Sequence, residues 1–207
     1  MPRTGIALVV SAPSGAGKTT LTSRLCTEYP TLSYSISCTT RKAREGEVDG
    51  IAYHFMDTAT FMKKRDEGYF AEWAIVHNNF YGTPLAPVQK ALAQGKDILF
   101  DIDVQGAKQL KKTLPEALFV FILPPSMAEL EKRLRKRGQD SEETIATRLN
   151  NAYSELMEAH WYDALIVNDR VEEAYTKLVC VFNAARCATQ RNRESIDVLL
   201  AERKRDG

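Results

Sequence analysis

The chain has 207 residues, 44% of them hydrophobic and 27% charged, with 28 Lys and Arg against 27 Asp and Glu and a formal net charge of +1. That length supports one sizeable core with small inserted subdomains, and the balanced charge gives no argument for nucleic acid or an anionic membrane as a partner. No apolar stretch approaches a transmembrane span, and the short apolar run near the N-terminus has no signal-peptide plan, so a cytoplasmic protein is expected.

In chain order, residues 6–10 (Ile-Ala-Leu-Val-Val) read as a buried strand. They lead into Ser11-Ala12-Pro13-Ser14-Gly15-Ala16-Gly17-Lys18-Thr19-Thr20, and Leu21 with Leu25 then gives the i/i+4 spacing of a buried helix face. A strand, a glycine-rich turn and a helix in that order are the setting of a P-loop. Gly15 and Gly17 let the backbone turn tightly and bring its N–H groups close to phosphate oxygens. The helix start adds partial positive charge, Lys18 is suited to the β- and γ-phosphates, and Thr19 offers a hydroxyl to Mg²⁺. The motif departs from G-x-x-x-x-G-K-[ST] at its first position, where Ala12 stands.

Residues 33–94 intervene before the next core strand, too long a span for a simple crossover, and are expected to form an inserted substrate domain. Residues 97–102, 118–123 and 164–167 are continuous apolar runs of the kind found in parallel strands covered on both faces. Ser126 with Glu129 forms a capping box ahead of one helix, and Asp140 with Glu143 an acidic version ahead of another. A long helix is expected from about Glu172 toward Cys187, with a second helix beyond it. The stretch from Arg133 to Arg148 is rich in arginine and poor in core residues, which suits a mobile lid. The alternation implies a doubly wound α/β fold.

Four cysteines (Cys26, Cys38, Cys180, Cys187) contain no C-x-x-C pair, and with three histidines a zinc site is not expected. Cys38 lies inside a functional motif, so thiol sensitivity is one reading for it and a bystander thiol the other. The basic tail at Arg203-Lys204-Arg205 is diluted by Glu202 and Asp206 and reads as a solvated helix end.

Within the inserted stretch, Arg41 and Arg44 stand three residues apart in Ser37-Cys38-Thr39-Thr40-Arg41-Lys42-Ala43-Arg44-Glu45-Gly46-Glu47-Val48-Asp49-Gly50. Two guanidiniums can clamp a phosphate through fork-like hydrogen bonds. Alone, such a pair reads as a solvated loop; beside a P-loop it suits an acceptor phosphate. Further on come Phe70-Ala71-Glu72-Trp73, Phe80-Tyr81-Gly82-Thr83, and Asp101-Ile102-Asp103-Val104-Gln105-Gly106 at a core strand's carboxyl end, the edge where open α/β sheets bind ligands. In a continued strand Asp101 and Asp103 would share a face, one addressing the metal's water shell and the other the acceptor.

Together, A-P-S-G-A-G-K, S-C-T-T-R-x-x-R, G-E-V-x-G, Y-G-T, D-I-D-x-Q-G, P-P-S, R-L-x-x-R-G and I-V-N-D, in this order over nearly the whole chain, resemble the guanylate kinases. The resemblance implies a P-loop NTPase fold: a parallel sheet flanked by helices, with an inserted GMP-binding subdomain and a mobile lid. It implies a single domain over 1–207, with core segments 1–32, 96–132 and 150–207, a GMP-binding insert at 33–95 and a lid at 133–149. The activity it implies is ATP-dependent phosphorylation of GMP to GDP with Mg²⁺ as cofactor. By the same resemblance Ser37, Glu72, Thr83 and Asp103 would contact guanine, and Arg41, Arg44, Tyr53 and Tyr81 would hold the GMP phosphate. Ala12, Pro13, Ser14, Gly15, Ala16, Gly17, Lys18, Thr19 and Thr20 would bind ATP, as would Arg133, Arg137 and Asn168. Thr19 and Asp101 would serve the metal, and Lys18, Arg41, Arg137 and Arg148 would carry catalysis. ATP and GMP are then the partners, with neither nucleic acid nor membrane involved. Family members occur as monomers and as higher assemblies, so homo-oligomerisation stays open.

The implied base contacts agree with the chemistry of guanine, whose N1–H and N2–H₂ donors suit Glu72 and Asp103 and whose O6 suits the hydroxyls of Ser37 and Thr83. Adenine would leave such a set unpaired, a mismatch that can discriminate by about 10⁴-fold. Two other readings stand beside this one: a guanylate-kinase-like module that binds proteins, and a kinase for another nucleoside monophosphate.

Overall fold

The computed structural model describes residues 3–76, 78–136 and 141–203. Arg137, Asp140 and the basic tail from 204 lie outside the described residues. In chain order the first half contains β1 (Ala7–Ser11), α1 (Lys18–Glu28), β2 (Leu32–Tyr34), β3 (Cys38–Thr39), β4 (His54–Phe55), α2 (Thr58–Asp66), β5 (Phe70–Val76), β6 (Asn79–Pro84) and α3 (Leu85–Ala93). There follow β7 (Asp97–Asp101), α4 (Val104–Thr113), β8 (Leu118–Leu123), α5 (Met127–Lys136), α6 (Glu142–Met157), β9 (Ala164–Val167), α7 (Val171–Arg186) and α8 (Arg193–Arg203).

A parallel sheet in the order β2-β7-β1-β8-β9 forms the centre. Alternation along each strand splits its side chains between two faces. Ala7, Val9, Phe100, Phe119 and Phe121 meet α3 and α4 through Val88, Val104, Ala107 and Leu110. Leu8, Val10, Leu99, Val120 and Ile122 meet α1 and α7 through Leu21, Leu25, Leu178 and Phe182. Helices on both faces explain why these strands read as unbroken apolar runs rather than alternating ones. Burying each large side chain contributes about 1.5–3 kcal/mol before conformational entropy is counted. β1 lies between β7 and β8, so the carboxyl ends of all three open onto the same edge.

The second sheet, β4-β3-β6-β5, has its own small core of Cys38, Phe61 and Phe70, with Phe61 and Phe70 stacked at 4.4 Å. It spans less chain than the 33–95 stretch. β2 joins the edge of the central sheet beside β7, and α3 packs on the central core through Val88, because each offers its apolar residues to that core rather than to the insert. Helix α4 fastens the two sheets together. The Gln109 amide donates to Trp73 O (2.8 Å) and accepts from Trp73 N (3.1 Å), and Thr113 Oγ1 donates to Ala71 O (2.8 Å).

Both helix starts around 126 and 141 are capped, but differently from the paired boxes in the sequence. Ser126 Oγ accepts from Glu129 N at 3.1 Å, while the Glu129 carboxylate turns to Arg133 Nε (3.1 Å) instead of the backbone. At α6 the cap is Ser141, which accepts from Thr144 N at 3.2 Å. The 133–149 stretch also holds more apolar packing than its composition suggests, since Leu134 and Ile145 are buried. No helix among the described residues is long and apolar enough to cross a membrane.

Candidate active site

At the end of β1 the chain turns through Ala12–Gly17 before α1 begins, with Ala16 N donating to Pro13 O at 3.0 Å. Gly15 and Gly17 have φ of 95° and 90°, a region an L side chain enters only with strain. Ala12 has no such requirement: among the described non-glycine residues only Asn78 has positive φ. An alanine therefore serves at the first motif position without backbone cost. Ala12, Pro13, Ser14, Gly15, Gly17, Lys18, Thr19 and Thr20 line a cavity of about 170 Å³. Ala16 is buried, and its carbonyl accepts from Asn168 Nδ2. A larger hollow of about 350 Å³, lined by Thr4, Glu116, Gln190, Arg191 and Arg193, has no such loop of backbone N–H groups.

Lys18 is ion-paired with Asp101 and also donates to Ile102 O at 3.1 Å. The other oxygen of Asp101 accepts from Thr22 Oγ1 at 3.1 Å. The lysine is thus pinned across the gap between β1 and β7, and Thr22 is a contributor that the motif alone did not single out. Strand β7 ends at Asp101, so Asp101 and Asp103 do not extend one strand face as expected. Asp103 is instead the N-cap of α4, its Oδ1 accepting from Gly106 N at 2.8 Å. An aspartate two residues past a strand end satisfies an orphan helix N–H more readily than it continues a ladder with no neighbour.

Asn168 follows β9 and is buried behind the P-loop, donating from Nδ2 to Ala16 O at 2.7 Å. Its backbone carbonyl accepts from Arg133 Nη1 at 3.1 Å. Arg148, on α6, reaches Ser14 Oγ at 3.4 Å. Asn168, Arg133 and Arg148 therefore converge on the P-loop from three elements.

Opposite them, Glu72 on β5 lies across from Thr83 on β6 in the antiparallel ladder. Thr83 Oγ1 donates to Glu72 Oε1 at 2.7 Å, and the Ser37 hydroxyl is 3.3 Å from that of Thr83. Glu72 is 6% exposed, a buried carboxyl and not a solvated surface charge. Burial raises its carboxyl above the usual value, Asp103 adds to the rise, and the Thr83 hydrogen bond opposes it. The first turn of α4 comes close: a Cβ on Gly106 would stand 3.3 Å from Glu72 Oε2. Ser37, Thr83, Glu72 and Asp103 are thus brought together by a β-ladder, a helix cap and the α4–β5 stitching.

Arg41 is held by Glu47 and lies 5.4 Å from the Tyr53 ring centroid, with Tyr53 and Tyr81 edge to face at 5.9 Å. Arg44 is exposed in the same loop. Cys38 is buried, and burial pushes its thiol up to about 11, which favours an inert thiol over a reactive one.

Sequence reasoning assigned no role to Glu155. It stands on α6 seven residues after Arg148, with buried Ala152 between them on the same helical face. Burial and Asp103 push its carboxyl up to about 7, with Lys18 opposing. Only the fold brings this carboxyl to the site, so no local motif could have revealed it.

Known proteins align with this architecture over most of their length. The profile of the guanylate kinase family matches residues 4–185. The guanylate kinase of Oleidesulfovibrio alaskensis is 56% identical over 201 residues, covering 97% of this chain and 98% of that protein. That of Nitratidesulfovibrio vulgaris is 60% identical over 176 residues, 85% of each chain. The crystal structure of guanylate kinase from Anaplasma phagocytophilum superposes with a TM-score of 0.69 at 33% identity, covering 92% of this chain and 90% of that one. With a P-loop at the switch point of a parallel sheet and a second sheet carrying the Glu72–Thr83 pair opposite it, the chain belongs to the guanylate kinase family.

Proposed function

We propose that the protein transfers the γ-phosphoryl group of ATP to a phosphate oxygen of GMP, giving ADP and GDP. The observation that carries the choice of GMP is the Ser37–Thr83–Glu72 chain beside Asp103. The buried Glu72 carboxyl and Asp103 accept from guanine N1–H and N2–H₂ while the Ser37 and Thr83 hydroxyls face O6 as donors, and adenine would leave that set unpaired. Arg41 and Arg44, with Tyr53 and Tyr81, hold the acceptor phosphate.

The acceptor is already anionic, so transfer requires no protein base. This chain's residues position two like-charged phosphates and offset their repulsion. Lys18 spans the donor phosphates, the P-loop N–H groups cradle them, and Arg148 meets the charge that spreads over the transferring group. Arg133 and Asn168 act on ATP from the rim and back of the loop. Residues 133–149 form the lid in this reading, and its closure over the site excludes water.

The donor set fits Mg²⁺, a hard cation that takes oxygen ligands and keeps several waters. Thr19 supplies an exposed hydroxyl beside the loop. Asp101, with both carboxylate oxygens engaged by Lys18 and Thr22, suits contact through water. Bound there, Mg²⁺ supplies charge neutralisation of the β- and γ-phosphates. These substrates point to the cytoplasm as the place of work.

The test is ADP production by the purified protein with Mg-ATP and, separately, GMP, AMP, dTMP, CMP and UMP. Turnover with GMP alone is the expected result. Turnover with a different acceptor would keep the kinase and overturn the base assignment. A folded protein without turnover on any acceptor would favour a protein-binding module.

A further inference from the structure

Glu47 sits in the G-E-V-x-G motif and has no role in the reading above. Its carboxylate takes both ends of the Arg41 guanidinium, Oε1 accepting from Nη2 at 2.8 Å and Oε2 from Nη1 at 2.9 Å. The same Oε2 accepts from Arg44 N at 2.8 Å, and Glu47 N donates to Arg44 O at 3.1 Å. One carboxylate thus ties the side chain of one arginine to the backbone of the other. Gly46, at φ 82°, provides the turn that brings Glu47 back to this position.

A guanidinium has five N–H donors in a rigid plane. Here both on Nη1 are engaged, one by Glu47 and one by Lys42 O at 2.8 Å, and Glu47 takes one on Nη2. Nε–H and the second Nη2–H form the side edge of the fork, the spacing that receives two oxygens of one phosphate, and the Tyr81 hydroxyl lies within hydrogen-bonding reach of the same guanidinium. The plane itself is set against the rings of Tyr53 (5.4 Å) and Phe55 (5.9 Å). The charge-assisted bonds from Arg41 and Arg44 hold the Glu47 carboxyl down at about 2, so it stays ionised throughout the physiological range.

We propose that Glu47 is a positioning residue for the acceptor phosphate, anchoring Arg41 by its Nη1/Nη2 end so that the Nε/Nη2 edge is presented to GMP. The arrangement gives up part of the attraction of an unpaired cation. It gains a fork whose orientation is fixed before the ligand arrives, so less rotamer freedom is lost on binding. This inference rests on Arg41 being an acceptor-phosphate residue.

The experiment is a double-mutant cycle on the full chain with Glu47→Ala, Arg41→Ala and the pair, measuring kcat and KM for GMP and for ATP separately. Glu47→Ala is expected to raise KM for GMP by about 10- to 100-fold, the scale of a misaligned binding group, with KM for ATP unchanged and kcat little affected. Because Glu47 acts through Arg41, the double variant should be no worse than Arg41→Ala alone. Multiplicative losses in the double variant would overturn the proposal, as would an unchanged KM for GMP in Glu47→Ala. A lowered KM would also overturn it, identifying Glu47 as a competitor for the phosphate rather than an anchor. If Arg41→Ala itself leaves KM for GMP unchanged, the phosphate assignment of Arg41 fails and the proposal with it, a result distinct from the others. Thermal melting of each variant checks folding. Should Glu47→Ala not fold, Glu47→Gln keeps the shape with one acceptor oxygen and is expected to show a smaller rise in KM for GMP that again vanishes on the Arg41→Ala background; a rise that persists there would overturn the anchor role.

Discussion

Asn168 Nδ2 occupies the space that a side chain on Gly17 would need: it lies 2.3 Å from the position of a Cβ there, while donating to Ala16 O at 2.7 Å. The glycine is therefore required twice, for its left-handed backbone and for the amide behind it. Gly17→Ala adds roughly 1–2 kcal/mol of backbone strain and displaces the amide that supports the loop. We expect kcat/KM for ATP to fall by about 100-fold, the scale of a 1 Å misplacement, with GMP binding by calorimetry unchanged. Normal ATP kinetics would mean that the loop accommodates a side chain at this point.

Arg148 reaches the P-loop from α6, its Nη1 lying 3.4 Å from Ser14 Oγ. Arg148→Ala should lower kcat by about 10²–10³-fold, as for loss of one preorganised transition-state donor, and leave KM for GMP nearly unchanged. Steady-state kinetics with saturating ATP decides the matter, and a normal kcat would remove Arg148 from the chemistry.

Glu72→Gln retains an acceptor for the Thr83 hydroxyl, so the fold should hold, but an amide now presents donors where guanine also donates. KM for GMP is expected to rise about 10- to 100-fold, equivalent to about 1.4–2.7 kcal/mol, with the ATP parameters intact. Unchanged GMP kinetics would show that Glu72 does not read the base.

Glu155 makes stability depend on pH in a stated direction. Its folded-state value is raised to about 7, chiefly by burial and then by Asp103, above the ordinary carboxylate value it has in the unfolded chain. Between about pH 4.5 and 7 the folded state therefore holds more proton than the unfolded one, so this group's contribution becomes less favourable as pH rises through that window. Glu155→Gln removes the charge that must be buried at high pH. The variant should melt higher than the parent at pH 8, and this advantage should shrink toward pH 5. A melting difference that does not change with pH would exclude an electrostatic origin.

Local patterns carried the P-loop half of the candidate site because its parts are contiguous. A strand, a turn with two left-handed glycines and a helix start are built from neighbouring residues, so Gly15, Gly17, Lys18 and Thr19 are recognisable from their order. The parallel strands were equally legible, since helices cover both faces and leave unbroken apolar runs. Strand β2 escaped notice because three residues on a sheet edge bury only Leu32 and leave no periodic signal. The Asp103 cap overrode the strand-like spacing of Asp101 and Asp103, because the helix start after Ile102 needed an acceptor.

By itself the sequence determined the α/β class, the P-loop and the resemblance that led to guanylate kinase, all properties of residue type and order. The tertiary structure decided what depends on distance across the chain. It buried Glu72 against Thr83, brought Glu155 toward Asp103 and Lys18, set Asn168 behind Gly17, and closed Glu47 on Arg41. The physical reason is the same in each case. Burial, pairing and pKa are set by what surrounds a charge, and those surroundings exist only once the strands and helices have packed.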